Sequence, residues 1–127
     1  MRVIVVRHAK AAAGQPDGTR PLTQQGREAA QMLGELLAER EPDAVVSSPL
    51  LRARETALAI AQAAGLEAAV DEHLAPGADA DDLRAAVAGR GETVIAVGHQ
   101  PDCSEIVLTL TGRDVDFPTA GFAEIDI

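Results

Sequence analysis

The sequence predicts an α/β fold: a three-layer α/β/α sandwich around a mostly parallel central sheet. Two apolar runs, Val3–Val6 and Val94–Val97, have the β-branched composition of strands that are buried on both faces. Segments with helical periodicity separate these runs from each other and from a third short run at 43–47. Strands that alternate with helices form parallel sheets covered by helices on both faces, so this order predicts the sandwich.

In the first half of the chain, turn residues and helical periodicity define the elements. Glycines and prolines mark a loop, an apolar stripe marks a first helix, and Thr23 has the residue type of its N-cap. Ser48 and Pro49 have the residue types of an N-cap and a first helical position, and Gly65 suits a helix end. The predicted elements are a strand at 2–7, a loop at 9–22, a helix at 24–40, a strand at 43–47 and a helix at 49–64 with Ser48 as its N-cap.

The second half of the chain continues the alternation. Apolar β-branched runs predict its strands, and glycines or prolines separate them from the helices. The predicted elements are a short strand at 68–70, a turn at 76–77, a helix at 79–87, a strand at 92–97, a helix at 101–110 and a final strand at 121–127. No repeat or linker interrupts the pattern, so we expect one domain over residues 1–127.

The bulk composition excludes several functional classes. A net charge of −9 argues against a nucleic-acid partner bound through a basic surface. A single cysteine excludes an intrachain disulfide and a multi-cysteine zinc site. No apolar run approaches the roughly 20 residues that cross a bilayer, and no signal peptide precedes the first strand, so we expect no membrane partner and a cytoplasmic location.

Two histidines stand where predicted strands end. His8 follows the first strand, with Arg7 beside it, and His99 follows the strand at 92–97. The C-terminal ends of parallel strands meet at one edge of a sheet, which is where open α/β sheets bind ligands. A single histidine at a strand end also serves as a loop hydrogen-bonding residue, so the inference depends on the combination.

An arginine joins this edge from a third junction. Arg52 is predicted in the first turn of the helix after 43–47, where side chains lean back toward the helix N-terminus and its positive potential. Arg54 points away by about 200°, so of the two only Arg52 is expected to face the site. Two guanidiniums and two imidazoles suit a phosphoryl group, because guanidiniums bind its oxygens bidentately and a neutral imidazole accepts it covalently.

The same residues resemble the motifs of the histidine phosphatase (phosphoglycerate mutase-like) superfamily. Arg7-His8-Ala9 is similar to its Arg-His-Gly signature, and Ser47–Ala57 to its Ser-Ser-Pro-x-x-Arg-Ala-x-x-Thr-Ala segment. Gly98–Pro101 is similar to its Gly-His segment. Arg20–Gly26 resembles the segment after the first loop in the compact SixA-like branch, whose members are phosphohistidine phosphatases. The resemblance covers nearly the whole chain, in the family's order.

The resemblance implies a role for each matched residue. His8 would be the nucleophile and would become a phosphohistidine. Arg7, Arg52 and His99 would bind the transferring phosphoryl group and stabilise its charge. The family mechanism requires no metal and no cofactor, and the sequence itself contains no His, Cys and acidic cluster with ligand spacing.

Two further cations are candidate substrate-binding residues. Arg20 belongs to the segment that resembles the SixA-like branch. Lys10 stands where other branches often have an acid, and it either adds positive charge at the rim or is simply a solvated lysine. Ala9 replaces the family's glycine.

The chain is short where larger family members carry a lid and a general acid. Glu72, His73 and Asp79 are the nearest acid candidates, and each also suits a solvated loop residue. A sugar or alkoxide leaving group needs a proton in the transition state, whereas an imidazole has a pKa of about 6.5 and leaves easily. These points favour phosphohistidine in a protein as substrate.

Three other functions stay open at this stage. One is a small-molecule phosphomonoesterase that acts on a nucleotide or sugar phosphate, and another is a phosphate-binding module without turnover. A third, a Cys-His hydrolase, would use Cys103, which is predicted in the first turn of the helix after His99. A mutase fits less well, because transfer to a second acceptor needs a lid that excludes water.

Overall fold

The computed structural model describes all 127 residues as a five-stranded sheet between two helical layers. The strands are β1 (Arg2–Arg7), β2 (Ala44–Ser47), β3 (Ala68–Val70), β4 (Thr93–Gly98) and β5 (Phe122–Asp126). The α-helices are α1 (Gln24–Ala38), α2 (Leu51–Ala64), α3 (Ala80–Val87) and α4 (Asp102–Thr111). The strand order is β3-β2-β4-β1-β5; only β5 is antiparallel, and the predicted fold class is confirmed.

Alternate residues of the central strands supply two apolar cores, one on each face of the sheet. Ile4 and Val6 of β1 face α1 and α2, whereas Val3 and Val5 face α3 and α4. These four side chains are at most 3% exposed. Burial on both faces explains why these strands are continuous apolar runs rather than alternating ones. It also holds the end of β1, and therefore His8, on a rigid support.

Local signals account for the helix ends, with one correction. The Thr23 hydroxyl accepts a hydrogen bond from the Gly26 amide, and Gly65 ends α2 with a φ of 72°, as predicted. The second helix begins at Leu51 with Leu50 as its N-cap, so Pro49 is not its first residue and Ser48 is not its N-cap. Leu50 is still extended, and the Ser48 hydroxyl lies 2.7 Å from His99 Nε2 instead.

The register of the central strands brings three junctions together. Arg7 pairs with Gly98 across β1 and β4, and Ser47 pairs with Val97 across β2 and β4. The segments that follow β1, β4 and β2 therefore leave the sheet side by side at its C-terminal edge. None of the helices combines the length and apolar character needed to cross a membrane.

Candidate active site

His8 is buried directly beyond β1, with one ring nitrogen engaged and one free. Its backbone amide donates to Gly98 O at 3.0 Å, and its Nδ1 lies 2.7 Å from Ala9 O. A carbonyl oxygen only accepts, so Nδ1 carries the proton and Nε2 keeps its lone pair. Burial, more than any other cause, lowers the pKa of His8. The ring is therefore neutral at pH 7, and Nε2 is available as a nucleophile.

His99 packs beside His8 at the end of β4. The two ring centroids are 5.3 Å apart and the rings are tilted by 58°. His99 Nε2 lies 2.7 Å from the Ser48 hydroxyl, while Nδ1 is buried and has no partner in the protein. Burial, followed by the charges of His8 and Arg52, lowers the pKa of His99 to about 4.

Arg7 and Arg52 both donate hydrogen bonds from terminal nitrogens of their guanidinium groups. Arg7 Nη1 donates to Phe117 O at 2.9 Å. Arg52 Nη1 and Nη2 donate to Asp17 O at 3.0 Å and to Asp17 Oδ2 at 3.2 Å. The Nε–H of each arginine is buried without a partner. A buried donor without a partner is costly, so both guanidiniums are poised for an acceptor-only ligand such as a phosphoryl group.

A threonine connects the nucleophile loop to the arginine helix. The buried Thr56 hydroxyl accepts from the Ala9 amide at 3.0 Å and donates to Arg52 O at 2.8 Å. The threonine of the second sequence motif thus fixes the position of the loop after β1 relative to α2. The spacing of four residues between Arg52 and Thr56 places both on the same face of the helix.

The two additional cations differ in their surroundings. Arg20 Nε lies 3.1 Å from Asp17 Oδ1, and the charge of Arg20 contributes to the lowered pKa of His8. Lys10 is exposed and donates to Gln25 Oε1 at 3.2 Å, on the side of α1. The structure therefore brings Arg20 to the rim of the site and engages Lys10 elsewhere.

Asp17 is a site residue that sequence reasoning missed. Its side chain is 63% exposed and pairs with both Arg52 and Arg20. The Arg52 guanidinium, above all, holds the pKa of this carboxyl below its ordinary value. No sequence pattern singles out one aspartate in a loop. The carbonyl of Phe117 was equally hidden, because a backbone group carries no residue-type signal.

Two of the three acid candidates, Asp79 and His73, have other contacts, and the cysteine is buried. Asp79 caps α3 by accepting from the Asp82 amide, and the exposed His73 contacts Asp71 Oδ1 through Nδ1 at 2.8 Å. Cys103 is buried, and burial raises the pKa of its thiol to about 12. A thiol of that pKa is not a thiolate at neutral pH, so the Cys-His hydrolase loses its nucleophile.

The chain matches a family model over residues 3–76, described as the histidine phosphatase superfamily, branch 1. That range contains both the nucleophile motif and the arginine motif. The chain belongs to the histidine phosphatase superfamily. It is a phosphatase of this superfamily and resembles the SixA-like branch. An uncharacterized protein of Picosynechococcus is 34% identical in an alignment of 116 positions that covers 83% of this chain and 70% of that protein.

Solved structures of the superfamily share the fold over the whole chain. The protein histidine phosphatase SixA in complex with tungstate matches with a TM-score of 0.87 and 27% identity, over 100% of this chain and 88% of that one. A protein assigned as SixA of Agrobacterium tumefaciens matches with a TM-score of 0.83 and 31% identity, over 98% and 90%. A mycobacterial glucosyl-3-phosphoglycerate phosphatase shares the fold at 22% identity and a TM-score of 0.77, over 98% and 89%.

Proposed function

We propose that this histidine phosphatase hydrolyses phosphohistidine in a protein, without a metal or cofactor, through a phosphohistidine formed on His8. The observation that carries the proposal is the state of His8. Its Nδ1–H donates to Ala9 O, so the lone pair of Nε2 is free. Three neighbouring side chains each have a buried nitrogen that lacks a hydrogen-bond partner. Those three groups are Arg7, Arg52 and His99.

The first step transfers the phosphoryl group to His8. The Nε2 lone pair forms a bond to phosphorus while the bond from phosphorus to the leaving nitrogen breaks, and the electron pair of that bond stays on the leaving imidazole. The buried Nε–H groups of Arg7 and Arg52 bind the phosphoryl oxygens, whose charge is spread in the transition state. Positioning plus electrostatic stabilisation is the greater part of what phosphoryl transfer requires.

The second step hydrolyses the phosphoenzyme. A water oxygen bonds to phosphorus, the bond from phosphorus to His8 Nε2 breaks, and inorganic phosphate forms. Nε2 regains its lone pair, and a proton from the water passes to phosphate or solvent. The same arginines bind the phosphoryl oxygens in both steps, so no rearrangement of the site is needed between them.

The choice of phosphohistidine rests on the acids that the site lacks. Asp17 is the carboxyl group in contact with Arg52, and its lowered pKa keeps it ionised at neutral pH. An ionised carboxylate has no proton to give to an alkoxide. An imidazole leaving group, with an ordinary pKa of about 6.5, takes its proton from water before or during cleavage.

The decisive experiment compares leaving groups on purified protein. We expect a phosphohistidine protein or a simple phosphoramidate to be cleaved much faster than a sugar phosphate. With aryl phosphates, the rate should fall steeply as the pKa of the leaving group rises. A flat dependence, with chemistry shown to be rate-limiting, would favour the small-molecule phosphomonoesterase, and Glu72 and His73 would then be the first residues to substitute.

The same experiment addresses the module without turnover. Acid-labile phosphate trapped on His8 after rapid mixing would exclude it, because a binding module forms no covalent intermediate. Lys10 and Arg20 remain proposed substrate-binding residues, tested by KM for the phosphorylated protein in Lys10→Ala and Arg20→Ala. The cytoplasmic location also remains a prediction, tested by cell fractionation.

A further inference from the structure

We propose that Ser48 fixes the tautomer of His99, holding the ring proton on Nδ1 so that this nitrogen donates a hydrogen bond to the phosphoryl group. Ser48 is thus a positioning residue that acts through His99. The tautomer stands on the hydrogen bonds alone, and its catalytic consequence rests on the proposed function.

The hydrogen bonds of Ser48 determine where the proton of His99 lies. Ser48 is fully buried, and its Oγ accepts a hydrogen bond from the Leu50 amide at 3.2 Å. The other partner of this hydroxyl is His99 Nε2, at 2.7 Å. The hydroxyl proton therefore has one acceptor within reach, namely the Nε2 lone pair.

The opposite tautomer of His99 would leave the Ser48 hydroxyl proton without an acceptor. With a proton on Nε2, that nitrogen would donate to Oγ, and the Ser48 hydroxyl would keep a buried proton with no acceptor. A buried donor without a partner is costly, so the structure favours Ser48 as donor and Nε2 as acceptor. A neutral imidazole carries one N–H, which then lies on Nδ1.

The Nδ1 atom of His99 is one of three buried nitrogens at the site that lack a hydrogen-bond partner. His99 Nδ1 is buried without a partner, and its ring packs 5.3 Å from that of His8. The Nε–H groups of Arg7 and Arg52 are buried and unpartnered in the same way. An oxyanion accepts from all three donors, whereas a lone pair on Nδ1 would repel it.

The tautomer matters because His99 has only one proton at neutral pH. Burial lowers the pKa of His99 to about 4, so the ring is not a cation that donates from both nitrogens. A neutral histidine assists phosphoryl transfer only if its single N–H faces the phosphoryl group. Ser48 determines which nitrogen carries this proton, because its hydroxyl donates to Nε2 and so leaves the N–H on Nδ1.

The direct test is ¹⁵N NMR of the ring on wild-type protein at pH 7.5. Long-range ¹H–¹⁵N correlations distinguish a protonated ring nitrogen from one with a lone pair, and His99→Gln assigns the signals. We expect His99 Nδ1 to be protonated and Nε2 to carry the lone pair. A protonated Nε2 would overturn the proposal, whether or not the protein proves to be a phosphohistidine phosphatase.

Two substitutions test the role of the hydroxyl. In Ser48→Ala we expect the Nδ1–H population to fall and the dissociation constant for inorganic phosphate, read from the same spectra, to rise about tenfold. Ser48→Thr keeps a hydroxyl and should retain the wild-type tautomer. Ser47→Ala is the matched control, since the neighbouring Ser47 is also buried but its hydroxyl donates to Ser48 O and not to His99.

Kinetics complete the test. Loss of a donor to a developing oxyanion costs on the order of 10² to 10³ in rate. Because Ser48 acts indirectly, we expect Ser48→Ala to lose on the order of tenfold to hundredfold in kcat, with no further loss when it is added to His99→Gln. A folded Ser48→Ala protein with wild-type kcat and tautomer would refute the assignment. Additive losses in the double variant would show that Ser48 acts independently of His99.

Discussion

Acidification should destabilise this protein through His99, by an amount that its pKa allows us to work out. The pKa of an imidazole is about 6.5 in an unfolded chain and about 4 for His99 in the folded one. Between pH 6.5 and pH 4, residue His99 is protonated in the unfolded chain but stays neutral in the folded protein. The stability that His99 contributes is therefore complete above pH 6.5 and is lost as the pH falls toward 4.

The size of this effect follows from linkage. One pKa unit corresponds to about 1.4 kcal/mol, so a change from 6.5 to about 4 is worth about 3 kcal/mol at most. Solvent screening reduces such values, and we expect about 1 to 2 kcal/mol between pH 7.5 and pH 4.5.

The assay is urea unfolding of wild type and of His99→Asn at several pH values. Carboxylates titrate in both proteins, so the difference between their free energies of unfolding isolates His99. We expect this difference to shrink by about 1 to 2 kcal/mol from pH 7.5 to pH 4.5. His8→Asn should change in the same direction, because burial also lowers the pKa of His8. A difference that stays constant or grows on acidification would refute burial of a neutral His99.

Four other perturbations test the site and its support. His8→Ala should abolish turnover and acid-labile phosphate while the thermal unfolding transition is retained; residual turnover would require another nucleophile. Arg52→Ala should lose on the order of 10² to 10³ in kcat/KM, whereas Arg54→Ala, which removes an exposed side chain, should change it little; the reverse order would show that α2 has a different register. EDTA should leave activity unchanged and vanadate should inhibit; a chelator-sensitive enzyme restored by a divalent ion would contradict the mechanism. Gly26→Ala would drive its Cβ into the backbone carbonyl of Lys10, so urea unfolding should show a free energy of unfolding that is lower by about 1 to 3 kcal/mol. An unchanged midpoint would mean that the loop after His8 moves to accept the methyl group without a loss of stability.

Much of the fold was predictable because local and global signals agree. The β-branched runs at β1 and β4 have no stable alternative to burial between helices, and strands in this order with helices between them form a parallel sheet. His8 and His99 were then placed together by topology alone, since each follows a central strand. Arg52 could be separated from Arg54 because helical geometry sends their side chains in different directions.

The parts that escaped prediction depend on contacts between distant segments. Ser48 and Pro49 have the residue types of a helix start, yet Ser48 hydrogen-bonds to a histidine 51 residues away. Asp17 reaches Arg52 across 35 residues, and Arg7 donates to a carbonyl 110 residues on. Such pairings arise from the path of the loops over the sheet edge, which no local pattern specifies.

The strand order also governs when the site comes into existence. β4 lies between β1 and β2, although it is the fourth strand along the chain. A nascent chain that has reached α3 contains His8 and Arg52 but has no strand to join the two halves of the sheet. Phosphoryl binding is therefore coupled to completion of the sheet. Partly synthesised chains should therefore bind no phosphoryl group, and vanadate binding should serve as a reporter of fully folded molecules.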